Sequence, residues 1–313
     1  MSANVESMFS VREVPWHGLG VIIEDAPTSD DALRLAGLDW KVTQSKVICK
    51  DSGVVIPGYK ANIRDTDGKV LGMVTDKYKI VQNTEAFAFT DALLGEGVTY
   101  ETAGSLSSGK RVWMLARMEG RKITDEIVDP YLVFTNSHDG SGAVRVAITP
   151  IRVCCNNTLN MALSTANRHW SCVHKGDIMS KMEEAKRTLI NTETYMEALE
   201  EEFGELKLQA MSIDKVKEYI NMLIPLDETE TSRTKIRNIE SMRQDLMCRY
   251  LYAPDLRDIE HSAYRFVNAV SDFATHREPY RRTANYQENM FMKTVDGNAM
   301  IDMAYKMVKE MVA

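Results

Sequence analysis

Long apolar runs are missing from this sequence. No stretch approaches the roughly 18 apolar residues that a membrane helix needs, so a membrane protein is not expected. The opening segment, MSANVESMFSVREVPW, has no basic start followed by an apolar run, which argues against a signal peptide. Cysteine is scarce. Five in 313 residues, an odd number without framework spacing, points to a reducing cytoplasm rather than a disulfide-stapled secreted fold. Positive charge is also in deficit: the net charge of −7 argues against broad non-specific affinity for nucleic acid, which needs a basic surface to displace counterions. A P-loop, HExxH, GxSxG and a carboxylate pair set on strands are all absent. The sequence therefore carries no enzyme signature, and no metal or cofactor is expected from it.

What is present suffices for a globular core: 44% hydrophobic and 27% charged residues. The charge is unevenly spread. No acidic residue falls between Asp139 and Asp177, while Arg145, Arg152, Arg168 and Lys175 do. Glu193, Glu197, Glu200, Glu201, Glu202 and Glu205 then form an acidic block without Lys or Arg among them. Two solvated faces would explain this, and so would a locally positive site in an acidic protein.

Three regions follow from the patterning: an N-terminal arm and short helix over 1–39, an α+β core over 40–177, and a helical region over 178–313. Pro15, Gly18, Gly20 and Pro27 punctuate the arm, and SDDALRLAGL at 29–38 predicts a helix. From Trp40 the pattern is mostly that of antiparallel strands. Asp67-Gly68 and Asp139-Gly140 sit between apolar runs and predict hairpin turns, because glycine accepts positive φ at no steric cost. A helix capped by Asn83 or Thr84 and stopped by Gly95 is inserted among the strands. VRVAITPIRVC reads as the last long strand, with Asn156 and Asn157 turning the chain and capping a helix over NTLNMALSTA. Residues 178–208 read as one long amphipathic helix with Met182, Ala185, Leu189, Met196, Leu199, Phe203 and Leu206 on one face.

Several groups are candidates for chemistry. Cys154 and Cys155 point to opposite faces of a strand, so they do not clamp a metal together and are best read as small buried hydrophobes. A zinc site from either one with Cys172 and His174 matches no standard spacing, and a cysteine nucleophile with His169 or His174 has no signature. WHGLG at 16–20 is a turn with a docked Trp16, or an arm whose aromatic stacks on a base. HWSCVHKGD sets Trp170 beside His174 and Lys175, which suits base stacking with phosphate contact, or a tied-down loop between helices. HREPYRRT at 276–283 surrounds Tyr280 with Arg277, Arg281 and Arg282.

PWHGLG, TPIRVCCNNTLNMAL, the His174 segment leading to EAKRTL, and AYRFVNAVSDFATHREPYRR occur here in the order found in the phage/plasmid-like protein family, domain of unknown function 932. The chain resembles that family over nearly its whole length, although it doubles both the cysteine and the asparagine of the central motif. The resemblance implies a setting in phages, prophages and plasmids, without an assigned activity. The strand and helix order is also broadly similar to the core of Rad52-like single-strand annealing proteins, which bind single-stranded DNA in a positive groove as rings or filaments.

The leading expectation is thus a non-enzymatic, homo-oligomeric, single-stranded-DNA-binding protein, acting in strand annealing within a bacterial host's cytoplasm. Arg145, Arg152, Arg168, His174, Lys175, Arg281 and Arg282 would meet phosphates, and Trp16 and Trp170 would stack on bases. One alternative is an inhibitor that holds a host defence protein through the acidic helix. Another is a nucleic-acid or nucleotide enzyme with His174, Arg152 and Asn157 in one pocket.

Overall fold

The structure, a computed structural model, describes residues 5–12, 20–95, 99–123, 126–152, 157–158, 169–189, 191–281 and 298–310. Among the described residues it is an α+β fold with two sheets and two large apolar cores. The smaller sheet has the order β3 (Val42–Ile48), β4 (Val55–Arg64), β5 (Val70–Thr75). Gly68, at φ +68°, sits in the turn between β4 and β5.

The larger sheet contains β1 (Val5–Val11), β2 (Val21–Ile23), β6 (Thr99–Leu106), β7 (Arg111–Arg117), β8 (Arg121–Ile123), β9 (Glu126–Ser137), β10 (Val144–Arg152), β11 (Asn157–Thr158) and β12 (His169–Cys172). Its order is β11-β10-β9-β7-β6-β1-β2, with β12 also on β10 and β8 on β9. All these pairings are antiparallel except β1 with β2. Residues 5–11 and 21–23 are therefore strands of a sheet, not parts of an arm. Phe9 and Val11 are buried on one face of β1 and Met8 on the other. A strand covered on both faces lacks the polar–apolar alternation that would announce it.

Two further expectations concern the strands beside β10. Asn157 lies in β11, paired with Arg152, and the helix expected over NTLNMALSTA falls, beyond Thr158, outside the described residues. HWSC is not part of a loop between helices but strand β12, paired with Val144–Ala147 of β10.

Helices α1 (Ser29–Leu35), α2 (Asn83–Leu94) and α3 (Ile178–Leu189) belong to one face of the large sheet. Phe9, Tyr100, Met114, Phe134, Val146 and Met182 are buried in that core. The start of α2 differs from expectation. Gln82 is its N-cap, and the Glu85 carboxylate accepts from the Gln82 N–H at 2.7 Å, one half of a capping box. Asn83 is instead turned inward, donating to the Leu38 carbonyl at 2.9 Å.

The stripe over 178–208 is described as α3 and α4 (Asn191–Leu208), on either side of residue 190, which lies outside the described residues. Met182 and Ala185 pack in the sheet core, whereas Met196, Leu199, Phe203 and Leu206 belong to a second, helical core. That core is shared with α5 (Ile213–Leu223), α6 (Arg233–Tyr252), α7 (Ala263–His276) and α8 (Ala299–Glu310). It meets the sheet through Ile123 and Val128. Helix α7 is buried along most of its length, and the Ser262 hydroxyl caps it by accepting from the Arg265 N–H. Among the described residues no helix is long and apolar enough to cross a membrane.

A candidate nucleic-acid interface

Register decides which side chains share a face. Thr135 of β9 pairs with Trp113 of β7 on one side and Arg145 of β10 on the other. These three form a row across the sheet, on the face opposite Met114, Phe134 and Val146. Two residues along, on the same face, Arg111 pairs with Ser137. Strands β7 and β10 both run against β9, so each begins at the C-terminal end of β9. This places Arg111 and Arg145 at one end of the sheet.

The β9–β10 turn closes that end. Gly140 turns the chain at φ +80°. The Asp139 carboxylate accepts from the Ser137 hydroxyl at 2.6 Å and the Ser141 N–H at 2.8 Å. Burial pushes the Asp139 carboxyl up, but these hydrogen bonds outweigh it and hold the group below the usual carboxylate range. Arg111 donates to the Ser141 hydroxyl at 3.2 Å. The result is a cleft of about 80 Å³, lined by Leu106, Arg111, Trp113, Thr135, Ser141 and Arg145 among others. Trp113 is only 6% exposed and packs with Met8 and Leu106. It is a floor rather than a stacking surface. Two guanidinium groups and several hydroxyls remain as the chemistry of the walls, a set suited to phosphate oxygens.

The small sheet supports the turn from behind. Asn62 donates to the His138 carbonyl at 2.7 Å, and the Tyr78 hydroxyl donates to the Ser137 carbonyl. Gly72 makes this approach possible: a Cβ there would lie 2.5 Å from the Asp139 Cα. Gly72→Ala is expected to cost about 1–3 kcal/mol by overpacking, read in urea denaturation. Gly204→Ala is the control, since a Cβ in that part of α4 meets nothing within 4 Å. It should stabilise by about 0.5–1 kcal/mol through helix propensity. Equal responses from the two variants would mean that the close approach at Gly72 is not tight.

The candidates from the sequence are scattered. Arg145 is in the cleft. Arg152 lies seven positions further along β10, paired with Val128 and Asn157. Trp170 is half-buried against the sheet core with Cys172, on the face away from Arg145, so it does not offer that face a stacking ring. His174 is 4% exposed; its ring stacks on Tyr78 at 4.5 Å and its Nδ1–H donates to the Lys79 carbonyl at 2.9 Å. It is an interior group, not a phosphate contact. Lys175 is exposed, and its carbonyl accepts from Lys181 at 2.8 Å.

In the loop after α7, Arg277 is ion-paired with Asp245 at 3.1 Å and lies over the rings of Phe273 and Tyr280. Arg281, at its end, is exposed. Trp16, Cys154, Cys155, Asn156, Arg168 and Arg282 lie outside the described residues. Among the described residues no group of three or more His, Cys, Asp or Glu is placed to hold a metal ion.

Sequence reasoning missed Arg111 and Trp113. The usable signal was the pair of hairpin turns, SSGK before Arg111 and DGSG before Arg145, which set both arginines at strand starts.

Fold and cleft together define an α+β protein built on a large antiparallel sheet, with an arginine-lined cleft beside one hairpin. The chain belongs to the family described as Domain of unknown function (DUF932), whose model matches residues 70–294. That span holds the cleft and lacks β1 and β2. No curated protein and no solved structure matches the chain.

Proposed function

We propose that this protein binds single-stranded DNA through its phosphates, at the cleft between β7, β9 and β10. One observation carries the reading: Arg111 and Arg145, from strands not adjacent in the sheet, line the same cleft together with hydroxyl groups. With Trp113 buried, recognition there is of backbone rather than base, and so independent of sequence. In a chain of net charge −7 such binding is confined to one place. Strand annealing by an oligomer of a phage or mobile-element protein is the fuller form of the proposal.

The test is fluorescence anisotropy with a labelled single-stranded oligonucleotide over a salt series. Wild type should bind and weaken as salt rises. Arg111→Ala/Arg145→Ala should bind at least about tenfold more weakly, with a log–log salt slope shallower by about 2. Absence of wild-type binding at low salt would remove the reading.

One observation favours a second reading. Glu197, Glu200 and Glu201 are exposed on α4, while Glu202 and Glu205 are held by Lys309 at 2.9 and 2.8 Å. An exposed acidic helix suits a basic host protein, as in a counter-defence inhibitor. Charge reversal at the three exposed positions would then abolish binding to that protein and leave oligonucleotide binding untouched.

A further inference from the structure

The small sheet has one face against the β9–β10 turn and one face turned away from it. Register and burial assign the residues to each. Asn62 pairs with Gly72, and Arg64 with Val42. Asn62, Arg64 and Val42 are buried, as are Leu71 and Val74, and Asn62 bonds the His138 carbonyl, so this is the inner face. The alternate pairs point outward: Ile63 with Val70, Ala61 with Met73, and Tyr59 with Thr75. A register shift in β5 between Asn62 and Ile63 keeps Val70 and Met73 on one face. On β3 the outward positions are Thr43, opposite Ile63, and Ser45, opposite Ala61. Tyr59 is 46% exposed, and Val70 and Met73 are 57% exposed each. None of these outward positions carries a charge. The tip of the β3–β4 hairpin holds more apolar surface, where Ile48 pairs with Val55 and both are exposed.

Area and charge say what such a face would meet. Among the described residues sixteen large apolar side chains stand exposed, and seven of them fall within 48–73. At about half exposure, seven such side chains offer on the order of 500–700 Å², at or beyond the largest apolar patch of an ordinary monomer. A standard interface takes about 800 Å² from each partner, about 65% of it apolar between identical subunits, so each side must supply roughly 500 Å² of apolar surface. The patch meets that need. Charge favours a second copy over an unlike partner. At a net charge of −7 two copies repel over most approaches, and an uncharged face is where they meet without setting carboxylates together. The edge of the sheet is less open than its face. The Gln82 side chain accepts from the Val42 N–H at 2.9 Å and donates to the Val42 carbonyl at 2.8 Å, which occupies the start of the β3 edge.

We propose that two copies of this chain dimerise by packing the outward faces of their small sheets together. Tyr59, Val70 and Met73 supply the apolar contacts, and Thr43, Ser45 and Thr75 the polar ones. A two-fold axis sets the same patch against itself, so no second surface is needed. The faces stack about 10 Å apart, as the two layers of a β-sandwich do. The inner face of the same sheet holds the turn that closes the cleft, through Asn62 and the His138 carbonyl. The dimer therefore joins two clefts through one pair of stacked sheets. It forms whatever the cleft binds.

The test is sedimentation equilibrium of the full chain over about 1–100 μM, a range that reaches the weak end of interfaces of this size. Wild type should be a dimer at the upper concentrations. Val70→Asp/Met73→Asp changes two exposed positions and should weaken dimerisation at least about tenfold, because the two-fold then sets four carboxylates on a face without counter-charges. Hydroxyl-radical footprinting of wild type should show Met73 and Tyr59 protected as the concentration rises. A wild type that stays monomeric throughout, a dimer that survives the double substitution, or Met73 oxidised equally at both ends of the range overturns the proposal. Should the double variant not fold, the wild-type footprint decides by itself.

Discussion

Replacing Arg265 by methionine is expected to destabilise the helical core by about 3–5 kcal/mol. Arg265 is 5% exposed and lies near the start of α7. Its guanidinium donates to the Tyr250 carbonyl at 2.7 Å, the Leu251 carbonyl at 3.0 Å and the Ile259 carbonyl at 2.5 Å. Two of these carbonyls belong to the last turn of α6, where no further helical N–H exists to bond them. The cation also lies over the Tyr250 ring, at 5.3 Å. Methionine keeps much of the volume and takes this donor from one buried carbonyl and two part-buried ones, a loss of about 1–3 kcal/mol at the buried one and less at the others. Lysine keeps the charge but not the fork, and should recover only part of the loss. Urea unfolding of the three proteins reads this directly. A methionine variant within about 1 kcal/mol of wild type would show that water reaches these carbonyls, against the burial described.

Acidification should act at the other core. Lowering the pH from 7 to 5 is expected to cost the protein about 2 kcal/mol through His138 alone. Burial, aided by the His174 charge, lowers the His138 pKa from about 6.5 to about 3. Above pH 6.5 the ring is neutral in both folded and unfolded chains, and stability is complete in this respect. Between 6.5 and 3 the unfolded chain takes up a proton that the native one refuses, which costs about 1.4 kcal/mol per pH unit. His174, lowered by its own burial, adds in the same direction. Glu6, whose carboxyl is held down chiefly by its hydrogen bonds with Arg64, enters only as the pH falls below the ordinary carboxylate range. Denaturation midpoints across this range should therefore fall with pH, and His138→Gln should flatten the curve. A flat wild-type profile from pH 7 to 5 would mean that the ring is not buried in solution.

These residues also show which parts of the structure were open to sequence reasoning. The turns at Gly68 and Gly140 were legible because a backbone at φ +68° or +80° leaves glycine as the residue of choice. Strand β1 was not, since both its faces are covered. The stripe over 178–208 gave no sign that its two halves meet different cores, because periodicity reports a covered face without saying by what. The acid-free stretch drew attention to Arg145, and that residue does line the cleft. Arg152 came with it although it stands at the other end of β10, seven positions from Arg145. Arg111, Trp113 and the neutrality of His138 depend on register and burial, which are long-range properties. The quoted family motif AYRFVNAV likewise contains Arg265, whose role is to cap α6.

Strand β1 has one more consequence, in the order of synthesis. Its neighbour β6 lies far downstream: the Thr102 hydroxyl donates to the Phe9 carbonyl across 93 positions. At roughly 5–20 residues per second, a ribosome reaches the partner on the order of 5–20 s after β1 is made. During that interval the local hairpins β3, β4 and β5 are complete, while Phe9 and Val11 have no sheet to enter. A strand made well before its partner is thus among the last to find its place, and a chaperone able to shelter one short apolar strand would have its window there.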